Sequence, residues 1–364
     1  EALVTAALAR ADAAPDDPHA GPAARQTGTL GGLGIADRRY DLLTADDRAE
    51  VVVTAERSVR PVDRRLVPSG FTYRDLSRTR RFANTRGVRL EEVDTTYEAE
   101  GTVSAASGGD ELVLRDRIES RTFASIASLP YGTTLAQRAS DLCGPRASLS
   151  GPVRVLFPPL PTARLFAAIA ARFDARRFEA EPWFLRPLPN GAPNVDPRLH
   201  LQDDGAMPGG LRSASFDDRG VAPVALTLLR EGRVDGRFVD PEFAHLHDVR
   251  PTGHQVGDAL VPRNLVLRSG TRSMNATLTD LGGSVLVVDD LADLSGVDWA
   301  TGDCSLVVDG VVHLGPKAGG AVRRARLVGN LSKVLNSVVE VCSDTDRIGY
   351  VDAPGIVFDG LSVA

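Results

Sequence analysis

The run Ser305-Leu306-Val307-Val308-Asp309-Gly310-Val311-Val312-His313-Leu314 reads as two short strands, Ser305–Val308 and Val311–Leu314, hinged on an Asp-Gly turn. β-Branched and aliphatic residues suit a pleated, half-buried surface, and Asp-Gly is a pair that hairpin turns favour. The pattern continues outward. Val224–Arg230 and Arg233–Val239 flank Glu231-Gly232, and His200–Gln202, Asn264–Leu267, Val285–Val288 and Ile356–Phe358 are further strand candidates. Many short strands separated by Gly-rich turns predict a closed or sandwiched antiparallel sheet over residues 198–364. A last helix is predicted over Leu331–Val341, with Asn330 as its cap.

The first 150 residues mix helix and strand signals. Residues 1–12 read as a short helix with Leu3, Ala7 and Leu8 on one face, and residues 13–36 as loop. Glu50–Ala55, with Val51-Val52-Val53, reads as a strand. Phe82–Val88 reads as a strand broken by a turn, and Tyr97–Ser104 with Glu111–Arg117 as a β-hairpin. Thr133–Cys143 is helical in composition, stopped by Gly144. Val153–Phe157 is a buried strand ended by Pro158, Pro159 and Pro161. A helix follows over Thr162–Asp174, on which Leu165, Phe166, Ile169 and Phe173 keep helical spacing. Residues 175–197 are a Pro-rich loop or arm. The expected fold class is α+β: an N-terminal mixed domain with an antiparallel sheet (1–150), a connecting segment (151–197) and a β-rich domain (198–364).

With 364 residues, 43% of them apolar and 25% charged, the chain has the make-up of a globular protein large enough for two cores. The net charge is −6, and the richest basic stretch, Arg74 to Arg81, is short and lacks interleaved aromatics, so nucleic-acid binding is not expected. Cys143, Cys304 and Cys342 are an odd number at wide spacing without a CxxC pair, which implies free thiols and a reducing compartment. No run of eighteen apolar residues predicts a membrane helix, and Glu1-Ala2-Leu3-Val4 lacks the pattern of a signal peptide, so a cytoplasmic location is expected.

Several motifs follow one another in order. Asp203-Asp204-Gly205 precedes Gly209-Gly210-Leu211-Arg212-Ser213 and Ser215-Phe216-Asp217-Asp218-Arg219-Gly220-Val221; then come Thr252-Gly253-His254, Thr301-Gly302-Asp303-Cys304-Ser305-Leu306, Val328-Gly329-Asn330-Leu331 and Pro354 to Leu361. Each is weak alone, but their order over two hundred residues resembles the TldD/TldE (PmbA) peptidase family, with good coverage over residues 150–364. Phe82 to Gly87 is similar to a turn of that family's N-terminal domain.

The resemblance implies a barrel-like C-terminal domain and a heterodimer in which a TldD-like chain carries HExxxH on a helix and binds zinc. Those positions fall here on Ala167, Ala168 and Arg172. Alanine can neither ligate a metal nor accept a proton, and arginine carries a fixed positive charge. Cys342 lies near the family's third ligand, and the reading weighed as more apt is a buried small apolar residue. The expectation is therefore a TldE-like subunit without a catalytic residue or cofactor of its own, inactive alone, with zinc on the partner and extended peptide as the substrate. An arginine-rich composition, with lysine only at Lys317 and Lys333, suggests a GC-rich genome, in which a ribosomal natural-product precursor could be that peptide. Thr301, Gly302, Asp303, Ser305 and His254 are candidate substrate-binding residues. An alternative is a stand-alone metal-dependent hydrolase using His245, His247 and His254, the first two on the same face of one strand and Cys342 a further candidate ligand. Another is a partnerless homodimer.

Overall fold

A computed structural model of the chain describes residues 2–14, 32–107, 110–177, 188 and 191–364. Helix α1 (Ala2–Ala13) has no buried residue. Helix α2 (Ala45–Arg57) occupies the segment that contains the strand expected at Glu50–Ala55. The local ends decide the matter. Thr44 accepts from the Asp47 amide while the Asp47 carboxylate accepts from that of Thr44, a reciprocal cap. Asp46 and Asp47 stand at the positive end of the helix and Arg57 at the negative end. These outweigh the weak strand preference of three valines, and Val51 still packs on the core from the helix.

After α3 (Val59–Val62) come β1 (Val67–Ala83), β2 (Arg89–Ser107) and β3 (Asp110–Ser120), an antiparallel sheet in that order. The turn expected within Phe82–Val88 is present: the Asn84 carboxamide oxygen accepts from the amides of Arg86 and Val88, and Gly87 takes a φ of +81°. The expected hairpin is longer than read, pairing Tyr97 with Ser120 through to Ser107 with Asp110. Helices α4 (Phe123–Ser128) and α5 (Tyr131–Leu142) then cover one face. Tyr97, Ala99, Val103, Leu112 and Leu114 of the sheet pack there against Leu135, Ala136, Ala139 and Leu142.

The second body opens with β4 (Gly151–Phe157) and α6 (Pro159–Ala170). This helix starts earlier than the sequence reading, because proline is welcome in a first turn whose amides have no intrahelical acceptor. Then follow β5 (Leu201–Asp204), β6 (Ala225–Arg230), β7 (Arg233–Val234), α7 (Pro241–His247), β8 (Gln255–Val256), β9 (Ala259–Leu260), β10 (Leu265–Leu267), α8 (Met274–Leu281) and β11 (Ser284–Val288). The chain finishes with β12 (Asp303–Leu314), β13 (Lys317–Asn330), α9 (Leu331–Leu335), β14 (Val338–Ile348) and β15 (Val351–Val363). Two further expectations change here. Ser305–Leu314 is one strand, with a register irregularity between Val308 and Gly310 rather than a reversal. Gly310 serves close approach, since a Cβ there would lie 2.4 Å from the Val287 carbonyl oxygen. The last helix stops at Leu335, and Val338, Val339 and Val341 begin a strand.

Strands β5 to β7, β10 to β15 and β4 make a 10-stranded mixed sheet. Within it β13 pairs with both β12 and β15, so β4, β11, β12, β13 and β15 close into a ring, a barrel-like arrangement within an α+β fold. Side-chain alternation gives its strands two faces. Val155, Phe157, Leu286, Val288, Ile356 and Phe358 pack with Leu165, Phe166 and Ile169 of α6. Leu156, Val285, Val357 and Cys342 turn the other way, onto Leu278 of α8.

Candidate functional site

The consecutive motifs between residues 203 and 264 meet in one buried polar knot. Asp203, wholly buried, accepts from the amides of Arg263 and Asn264 at 2.8 and 3.1 Å. Asp217 accepts from the amides of Val221 and Gln255, and burial holds its carboxyl above the usual carboxylate range. The His254 imidazole is stacked on Phe238 at 4.4 Å between centroids; its Nδ1 lies 3.0 Å from the Thr252 hydroxyl and its Nε2 3.7 Å from the Asp203 carboxylate. His254 is thus part of this knot, with no exposed surface.

The knot also grips the N-terminal sheet. Arg121, at the end of β3, is buried against Asp94 at 2.9 Å and donates to the carbonyls of Thr95, Gly210 and Leu211. Arg80 pairs with Glu92 and donates to the Phe216 carbonyl, and Glu92 accepts from the Ser215 amide. Sequence reading found these motifs but not what they do. The side chains of Arg80, Glu92 and Arg121, from the strands of that sheet and its edge, reach loops 89 to 136 residues away, and no local spacing announces that.

The candidate turn at residues 301–305 is a structural turn. Gly302 takes a φ of +84°, the Asn330 carboxamide donates to the Thr301 carbonyl and to the Asp303 carboxylate, and the Leu331 amide donates to the Gly302 carbonyl. Asp303 thus accepts from the Asn330 side chain. Ser305 accepts a bond from Arg326. His245 and His247 lie on α7, not on a strand, so residues two apart point to different sides of the helix; His247 stacks on Phe243 at 4.0 Å. Among the described residues no group of three or more His, Cys, Asp or Glu is placed to hold a metal ion.

One feature has no sequence signal. Between β3, α5, the first turn of α6, β11, β12 and the turn joining β14 to β15 lies a cleft of about 370 Å³. Arg138 crosses its wall, donating to Asp116 at 2.5 Å and to both oxygens of Asp289 at 2.9 Å. Asp141 and His313 also line it. Withdrawal from water pushes the Asp141 carboxyl up and the His313 imidazole down. The residues come from six separate elements, each unremarkable where it stands in the chain.

Residues 150–364 match the profile of the PmbA/TldA metallopeptidase C-terminal domain. The chain belongs to the TldD/TldE (PmbA) family. Solved structures share the fold. A proposed modulator of DNA gyrase from Bacteroides thetaiotaomicron superposes with a TM-score of 0.86 at 18% identity, over 100% of this chain and 82% of that one. A protein described in the same way from Thermotoga maritima gives 0.81 at 22% identity, covering 94% and 78%. TldE from Thermococcus kodakarensis gives 0.81 at 17% identity, covering 97% and 82%. At these identities the likeness is one of fold. No curated protein matches the sequence.

Measured against the zinc set of the TldD/TldE family, the residues present do not fit. Ala167 and Ala168 lie on α6, and the Arg172 guanidinium just beyond it sits 4.8 Å over the Trp299 ring. Cys342, wholly buried, packs on the α8 side of the sheet whereas α6 packs on the other. Its thiol lies 3.8 Å from the Thr277 hydroxyl, and burial pushes its pKa up.

Proposed function

We propose that this chain is the metal-free, TldE-like member of a two-chain TldD/TldE metallopeptidase. Its partner would be a TldD-like chain that carries HExxxH and zinc, and its task would be to complete the enclosed chamber and hold unfolded peptide in extended form. The observation that carries the reading is the chemistry at the positions the resemblance assigns to the zinc set: Ala167 and a ring-stacked Arg172 for the two helical ligands, Ala168 for the general base, and Cys342, near the third ligand, buried on the other side of the sheet. A strand-rich body supports peptide holding, because sheet edges bind extended backbone with little demand on sequence. Buried free thiols at Cys143, Cys304 and Cys342 fit a reducing cytoplasm. A ribosomal natural-product precursor is one substrate of the right form.

The test is to purify the chain alone and with a TldD-like chain encoded beside it, then assay peptide hydrolysis with added zinc. Co-elution, and activity only in the mixture, are expected. Hydrolysis by the lone chain would sink the reading.

A further inference from the structure

The cleft between the two bodies is built for a particular kind of side chain. Its walls are mainly aliphatic, with Leu129, Leu142, Leu160 and Val311 among them, and its carboxylates outnumber its guanidinium groups five to three. The three arginines are committed. Arg138 is held by Asp116 and Asp289, Arg347 by Asp352 outside the cleft, and Arg117 by Glu98 and Glu119. Asp141 and Asp346 are different: among the described residues no arginine or lysine bridges either, and of the two it is the Asp141 carboxylate that accepts from the Gln137 carboxamide, at 2.9 Å. Close enough to feel its charge is His313, whose Nδ1 is buried without a hydrogen-bond partner. Burial keeps that imidazole toward its neutral form, so it does not supply the missing cation.

We propose that this cleft receives the side chain of a lysine or arginine in an extended peptide, with Asp141 as the residue that selects the positive charge. Long basic side chains lay an aliphatic stem on apolar walls and keep a charged head for a polar group, which is the arrangement found here. The volume of about 370 Å³ suits one such side chain and its neighbours. Strand β3 lines the cleft through Asp116 to Glu119 and pairs with β2 alone, so apart from the Asp116 carbonyl, which accepts from the Tyr131 hydroxyl, and the Arg117 amide, which donates to the Asp116 carboxylate, its outer edge is left for a peptide backbone. This deepens the peptide-holding reading and rests on it, but it is measured on the lone chain, so failure to find a partner subunit leaves it standing or falling by itself.

The experiment uses the full chain and unstructured fluorescent decapeptides that differ at one central position: lysine, arginine, norleucine or glutamate. The lysine and arginine peptides should bind about tenfold more tightly than norleucine, the ratio that 1.4 kcal/mol gives, and glutamate most weakly. Asp141→Asn should bring lysine down to the norleucine level without moving norleucine itself. Asp141→Lys should turn the preference toward glutamate. Thermal melts within a few degrees of the parent establish that both variants are folded. Equal affinity for lysine and norleucine, an unchanged preference in Asp141→Asn, or no binding of any peptide at millimolar concentration would overturn the proposal. So would competition by free agmatine as strong as by the peptides, which would mark the cleft as a small-amine site.

Discussion

Asp63 is one carboxylate joining two helices. It follows α3, takes the Arg65 guanidinium at 2.6 Å and accepts from the Ser140 hydroxyl of α5 at 2.9 Å. The hydrogen bonds from Arg65 hold its carboxyl well below the usual carboxylate range. A folded-state pKa below the unfolded one means a contribution present above about pH 3.9 and lost as pH falls through the folded value. Asp63→Asn should therefore lower stability at neutral pH by about 0.5–1 kcal/mol and flatten the acid limb of a plot of unfolding free energy against pH. An acid limb identical to the parent's would remove Asp63 from that role. At this scale the sequence is legible where chemistry is local. Asn84 in its turn and Asn330 at its cap are both where their short side chains can reach nearby amides. Asp141 and His313 are not legible, because what makes them notable is a cleft assembled from distant elements.

Among elements, α2 and α5 meet at Gly132. A Cβ built there would lie 1.9 Å from the Ala55 carbonyl oxygen and 2.4 Å from the Ser58 hydroxyl, so the helices cross at a distance only glycine permits. Gly132→Ala should force them apart and destabilise the N-terminal body by about 1–3 kcal/mol, read as a shifted urea midpoint; an unchanged midpoint would show that the crossing relaxes without loss. The errors made from sequence also belong to elements. The valine run of α2 carries a strand preference, which a helix cap and a packed face override. Asp309-Gly310 has the composition of a hairpin turn and yet lies within β12, where Asp309 accepts from Arg323 and from the Arg324 amide of the neighbouring strand. Strand β13 escaped notice because Gly319, Gly320, Arg323 and Arg324 break the alternation that marks a strand.

Across the whole molecule, the two bodies are held by the buried arginines that the motif loops enclose. Arg121→Ala would leave Asp94 with only the half-exposed Arg78 as its partner and would remove the guanidinium's bonds to the Thr95, Gly210 and Leu211 carbonyls. The expected loss is about 3–5 kcal/mol, with faster amide exchange across residues 209–216 than in the parent. Unchanged exchange in those loops would show that the bodies hold together without it. A closed or sandwiched sheet was readable from strand count and turn spacing, whereas its parallel pairs, β4 with β11 and β10 with β15, and the closure of the ring were not, since that closure depends on Leu361 to Val363 pairing with β4 and β13 at once. That closure has a bearing on synthesis. Until residue 363 has left the ribosome, β4 and β13 stand with open flanks and the apolar lining between them is wetted, so the nascent domain passes through a sticky, unsealed stage that only its final strand can end.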